Sequence, residues 1–149
     1  MGELSVTEVR FYDDADDGLL RFAVIIARTG GKWVFCKHRE RDTYEIPGGH
    51  REAGEDILDT AKRELYEETG AVDYDIKPVC VYSVTAPWNF DGAETFGMLF
   101  FADIREFEGE LHSEIERIMI TDTLVTEWTY PEIQPRLIEE AIRKGFIPR

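Results

Sequence analysis

"GGHREAGEDILDTAKRELYEETGA", residues 48–71, decides how the rest of the chain is read. Glu55 and Asp56 sit where acids favour a helix N-terminus, and Gly70 is a natural residue just past a helix end. The pattern predicts a helix from about Glu55 to Thr69. At about 100° per residue, Ile57, Ala61 and Leu65 line one side, with Leu58 beside them. The same stripe runs on to Glu68, with Glu64 on its flank. A helix face aimed at the protein interior therefore ends in carboxylates. Like charges at i,i+4, such as Glu64 and Glu68, destabilise an isolated helix by about 0.2–0.5 kcal/mol. Near a core they would also push a pKa upward unless an opposite charge intervenes.

Two readings follow. Arg63 can pair with Glu67 and Asp59 at i,i+4, as on an ordinary solvated face. The alternative is a hard divalent cation held by carboxylate oxygens. Mg²⁺ suits it, because it accepts a few carboxylates, keeps several waters and leaves positions for phosphate oxygens. With no His/Cys cluster in the sequence, a zinc site is not expected.

The 149 residues fit one domain spanning 1–149 with a hydrophobic core. A net charge of −14 disfavours sequence-independent binding to DNA, RNA or anionic membranes, so neither a nucleic-acid nor a membrane partner is expected. Cys36 and Cys80 each lie in an apolar stretch and read as reduced core residues. The amino terminus lacks a signal-peptide pattern, and no apolar run approaches the roughly 20 residues that span a bilayer. The expectation is a soluble, cytoplasmic protein.

Outward from the helix, residues 8–12, 19–28 and 33–39 are β-prone, the last two forming a hairpin around Gly30 and Gly31. The acidic turn DDADDG, 13–18, lacks the ligand spacing of an EF-hand and reads as a solvated loop. At Pro47, Gly48 and Gly49 the chain bends tightly. Two strand-rich segments follow the helix, with Pro78 marking an edge or bulge. A short strand at 117–121 precedes a last helix bounded by Pro131 and Gly145, in which Pro135 complicates the first turn. Strands interleaved with two helices predict an α/β fold with a mixed sheet sandwiched between helices.

Gly49, Glu55, Arg63, Glu64, Leu65, Glu67, Glu68 and Gly70 match the Nudix box, G-x5-E-x7-R-E-U-x-E-E-x-G-U, where U is bulky and apolar. Ala71, in the last U position, is apolar but small. The strand-rich lead-in, the YEIPGG approach and the closing helix extend the resemblance over most of the chain. It implies a Nudix hydrolase with an α/β/α sandwich fold, cleaving a nucleoside diphosphate linked to another group with Mg²⁺ or Mn²⁺ and water. On that resemblance Glu64, Glu67 and Glu68 are metal ligands, joined by the carbonyl of Gly48. Arg63 orients a glutamate and is counted with the catalytic set; Gly49, Glu55 and Gly70 are structural supports.

The resemblance implies a general base that is a box glutamate in some members of the family and a glutamate from a later loop in others. Glu114 resembles the late glutamate that joins the metal site in nucleotide-cleaving relatives, with Glu110, Glu116 and Glu94 as competitors. For the substrate, Trp88, Phe90, Trp128 and Tyr130 are loop aromatics able to stack on a base. Trp128 leads, because a tryptophan just ahead of the last helix resembles the base-contacting region of oxidised-nucleotide diphosphatases. Lys37, His38, Arg39, Arg41, His50 and Arg51 concentrate positive or protonatable groups in an acidic chain, and Arg39 and Arg41 are the phosphate-binding candidates. Strand alternation accounts for part of that cluster as an exposed face. The lead-in resembles the nucleoside triphosphate branch, including enzymes acting on oxidised purines such as 8-oxo-dGTP. Pro87, a little past the box, resembles instead the ADP-ribose hydrolases, although a proline at a strand end is also ordinary, and a non-catalytic nucleotide-sensing module on the same fold is the third reading.

Overall fold

In the structure, a computed structural model, residues 7–87, 92–108 and 115–147 are described. Among these described residues, seven strands form one mixed sheet: β1 (Glu8–Tyr12), β2 (Leu20–Thr29), β3 (Lys32–His38), β4 (Gly48–His50), β5 (Ala71–Thr85), β6 (Thr95–Phe107) and β7 (Ile115–Thr121). The main order is β1-β5-β6-β2-β3-β7. Only the β2–β6 pair is parallel among these; the other neighbours run antiparallel. Helix α1 (Ile57–Thr69) covers one face and α2 (Gln134–Arg143) the other, so the expected α/β/α layering is observed.

β2 reads as a continuous apolar run because it is covered on both faces. Ala23, Ile25 and Ala27 pack with Ile57, Ala61 and Leu65 of α1, whereas Ile26 joins Leu137, Ile138 and Ala141 of α2. Along its free edge β2 changes partner. Residues 22–24 pair with β4 and residues 27–29 with β3. The Ile25 N–H, between the two, donates to the Pro47 carbonyl at 2.8 Å. This split holds β4 beside the carboxylate end of α1; Gly48 and Gly49 run as strand there, paired with Val24 and Ala23, not as the tight bend expected from the sequence.

Gly30 and Gly31 form the predicted two-residue turn, both with positive φ, between Thr29 and Lys32. Pro78 lies at a register shift, beyond the stretch of β5 that β1 covers, so no ladder bond to β1 is lost there. The strand ends shift by one or two residues, and both helix starts differ from expectation. Helix α1 starts at Ile57, not Glu55, because Asp56 acts as its N-cap and accepts from the Leu58 N–H at 3.3 Å. Helix α2 starts at Gln134, not Pro131; Pro135 falls in its first turn, where a missing N–H leaves no intrahelical bond unmade. Cys36 and Cys80 are buried free thiols. Among the described residues, no helix is long and apolar enough to cross a membrane.

Candidate active site

Helix α1 ends where Gly70 adopts a left-handed conformation (φ 78°) and its N–H caps the Tyr66 carbonyl. The last turn is thereby brought against β4. Glu68 is buried, 7% exposed, and its Oε1 accepts from the Gly48 N–H at 2.8 Å. Both glycines are required by close approach. A Cβ at Gly48 would lie 2.6 Å from the Ala23 carbonyl oxygen, and one at Gly49 would run into the Glu64 carboxylate.

Arg63 organises the other acids. Its Nε donates to Glu55 Oε2 at 2.7 Å and its Nη2 to Glu55 Oε1 at 3.1 Å, a two-point grip suited to a planar guanidinium. Nη2 also reaches the His50 carbonyl at 3.0 Å. Nη1 bonds Glu64 Oε2 at 3.0 Å and Glu67 Oε1 at 3.2 Å. Glu55 further accepts from the Thr60 hydroxyl at 2.7 Å and the Glu52 N–H at 3.0 Å. Arg63, with these bonds, holds the Glu55 carboxyl down to about 2. The i,i+4 pairing of Arg63 with Glu67 is present, but its partner Asp59 is replaced by Glu55 and Glu64.

Burial acts the opposite way on the two inward carboxylates. It raises Glu64 despite Arg63 beside it. Glu68 is pushed up to about 8, chiefly by burial and then by Glu64, Glu45 and Glu67, against the lowering effect of the Gly48 N–H. Glu45 is a site residue that sequence reasoning missed. It is buried, and its carboxylate lies 3.3 Å from His38 Nε2 and 3.1 Å from Arg41 Nη1. His38 Nε2 is in turn 3.7 Å from Glu68 Oε2.

A cleft of about 480 Å³ opens over this end of the helix. Gly48, Gly49, His50, His38, Arg41, Glu45 and Glu68 contribute its polar lining; Val24, Ile46, Tyr82, Val84, Ile133 and Leu137 contribute its apolar wall. A more open hollow of about 790 Å³ lies between residues 17–22 and 50–56, but neither Gly48 nor Glu68 lines it. Tyr130 and Gln134 complete the cleft, with the Arg41 guanidinium 5.9 Å from the Tyr130 ring centre. Gln134 was also missed. It occupies the first position of the buried stripe Gln134, Leu137, Ile138, Ala141, where a polar residue is a visible signal, and its Oε1 accepts from the Ile46 N–H at 2.8 Å.

Several sequence candidates lie elsewhere. Trp128 is half-buried and stands edge-on to Phe35, ring centres 5.4 Å apart, and it does not line the cleft. Arg39 is exposed in the turn after β3 and does not line it either. Arg51 turns away to Asp17, Leu20 and Glu55. Glu94 accepts from the hydroxyls of Tyr12 and Ser83 at 2.7 and 2.6 Å on the α1 side of the sheet. Trp88, Phe90, Glu110 and Glu114 lie outside the described residues, as does the side chain of Glu116.

The donor set for a cation is all carboxylate oxygen. Among the described residues no three such side chains converge into a finished cage, because Arg63 stands between Glu64 and Glu67 while Glu68 turns to Gly48. Each glutamate nevertheless has an oxygen that none of these bonds uses, and no buried side-chain oxygen in the described structure lacks a partner. That set fits Mg²⁺, which needs one or two carboxylates and completes its shell with water and phosphate oxygens.

A mixed sheet between two helices, with an acidic helix end laid against a Gly-Gly strand, defines the class. The chain belongs to the NUDIX domain family, whose pattern matches residues 19–143. It is 38% identical over 86 residues to a Bacillus subtilis (strain 168) protein provisionally named 8-oxo-dGTP diphosphatase YtkD, covering 56% of this chain and 50% of that one. It is 37% identical over 57 residues to the RNA pyrophosphohydrolase of Psychrobacter sp. (strain PRwf-1), covering 38% and 33%. The matches thus span half and a third of those relatives. In structure it resembles the Bacillus subtilis pyrophosphohydrolase BsRppH (E68A mutant), with a TM-score of 0.78 at 24% identity, covering 95% and 92% of the two chains.

Proposed function

We propose that the chain is a divalent-metal-dependent pyrophosphohydrolase acting on a nucleoside diphosphate linked to another group, in the first place a nucleoside triphosphate, 8-oxo-dGTP among them. The observation that carries this reading is the burial of Glu68 against the Gly48 N–H, with Glu64 and Glu45 nearby and a nucleotide-sized cleft above. Glu64, Glu67, Glu68 and the Gly48 carbonyl would hold Mg²⁺ or Mn²⁺. A metal bound there supplies charge neutralisation for the phosphate oxygens and acidifies bound water.

The chain's own groups do the positioning. Arg63 fixes one oxygen each of Glu64 and Glu67 and is fixed itself by Glu55. Arg41, exposed beside Tyr130, would meet phosphate or stack with a base. The apolar wall and Tyr130 offer a planar base its contact surface. Glu114, which lies outside the described residues, is kept as the candidate general base on the resemblance alone.

A second reading is favoured by the name of one relative, the RNA pyrophosphohydrolase. The triphosphate end of an RNA presents the same anhydride as a free nucleotide, although the net charge of −14 opposes contact with a long polyanion. ADP-ribose is the remaining alternative. One assay panel separates them: canonical and 8-oxo nucleoside triphosphates, triphosphate-ended RNA, ADP-ribose and dinucleoside polyphosphates, each with Mg²⁺ or Mn²⁺ and product analysis. The expected products are a monophosphate and pyrophosphate. Glu68→Gln and Glu64→Gln should lower turnover by about 100-fold or more, with circular dichroism unchanged. Full activity in both variants removes the proposed site, and turnover of ADP-ribose alone replaces the substrate class.

A further inference from the structure

The acidic turn at 13–18 and the side chain of Arg51 have no part in the proposed chemistry, yet they meet on the far side of the loop that carries Glu55. Arg51 Nε donates to the Glu55 carbonyl at 2.7 Å. Its Nη1 donates to the carbonyls of Asp17 at 2.8 Å and Leu20 at 3.3 Å, and its Nη2 to Asp17 Oδ2 at 2.8 Å. The backbone N–H of Arg51 is held by the Arg21 carbonyl at 2.8 Å. Four side-chain bonds from one guanidinium use most of its donor capacity.

The loop from Arg51 to Asp56 is thus gripped from two directions. From the helix side Arg63 holds the Glu55 carboxylate and the His50 carbonyl. From the strand side Arg51 ties the Glu55 backbone to the turn that enters β2. If the second grip is released, the Glu55 backbone loses its tie to the turn that enters β2, and the Glu55 carboxylate can drift with Arg63 instead of fixing it. Arg63 in turn sets Glu64 Oε2 and Glu67 Oε1. We infer that Arg51 is a positioning residue for the metal-facing carboxylates, acting through Glu55 and Arg63, with Asp17 as its anchor. The inference rests on the metal-site reading above.

Groups that orient metal ligands typically contribute about 10–100-fold to metal affinity or activity. Arg51→Gln should therefore weaken Mn²⁺ binding, read by electron paramagnetic resonance, about 10-fold and lower kcat in parallel, leaving KM unchanged. Arg51→Lys, which keeps the charge and reaches fewer acceptors, should recover part of both. In the metal-free protein the Arg63 Nε–H resonance, protected by Glu55, should exchange faster in Arg51→Gln. Should Arg51→Gln fail to fold, Asp17→Lys provides the test, because the Asp17 side chain is 68% exposed and a like charge there repels the Arg51 guanidinium. A lowered melting temperature with unchanged Mn²⁺ affinity and an unchanged Arg63 signal overturns the inference and leaves the site reading intact. Absence of Mn²⁺ binding in the unaltered chain overturns both.

Discussion

At the scale of single residues, the burial of Glu68 acts against stability near neutral pH. Folded and free of metal, its carboxyl is pushed up to about 8, while in the unfolded chain it titrates near the ordinary value of about 4.3. Between those values the native state binds the extra proton, so stability is present at the acid end and is lost as pH rises. In the presence of a chelator, urea unfolding of the unaltered chain should lose roughly a few kcal/mol between pH 5.5 and 8. Glu68→Gln should flatten that dependence and be the more stable protein at pH 8. An identical pH profile in both would show that Glu68 is not the group responsible. The burial behind this was legible from the i, i+4, i+8, i+11 stripe starting at Ile57. The companion acid Glu45 was not, because only the fold pairs the β3–β4 connection with β3 and sets Glu45 against His38, beside Glu68.

At the scale of elements, α1 is held by packing rather than by its own preferences. Its last turn concentrates acids, and Ile57, Ala61 and Leu65 supply the compensating burial against β2 and its neighbours. Leu65 is fully buried, so Leu65→Ala should cost about 2–5 kcal/mol in chemical denaturation and loosen the helix end that carries the carboxylates. A loss below about 1 kcal/mol would mean the turn is anchored instead by Gly70 and the Glu68–Gly48 bond. The helix and its face could be read from the sequence. Its start was misplaced by two residues because Glu55 looks like a first-turn acid, whereas Arg63 and Thr60 hold its carboxylate outside the helix.

At the scale of the whole molecule, the cleft exists because β2 gives one stretch of its edge to β4 and another to β3, and α2 closes the opposite wall. That geometry separates two aromatics only two residues apart. Trp128 covers Phe35, and Tyr130 faces the cleft. Trp128→Ala should lower stability by about 2 kcal/mol and leave the ranking of nucleotide substrates as it is. Tyr130→Ala should change stability by no more than about 1 kcal/mol and raise KM for the preferred nucleotide. The reverse pattern would place the base against Trp128.

What the sequence by itself determined is what repeats locally: the amphipathic period of α1, the glycine turns, the alternating or continuous apolar runs of the strands, and the spacing of the acids along one helix. These depend on neighbours within a turn or two, so periodicity exposes them. Which side chains from distant segments share a cleft was decided only by tertiary structure. Arg51 and Arg41 are equivalent cations in the sequence; one locks a loop to Asp17, and the other stands beside Tyr130 at the cleft. Their difference comes from which distant groups each segment meets, which no local pattern encodes.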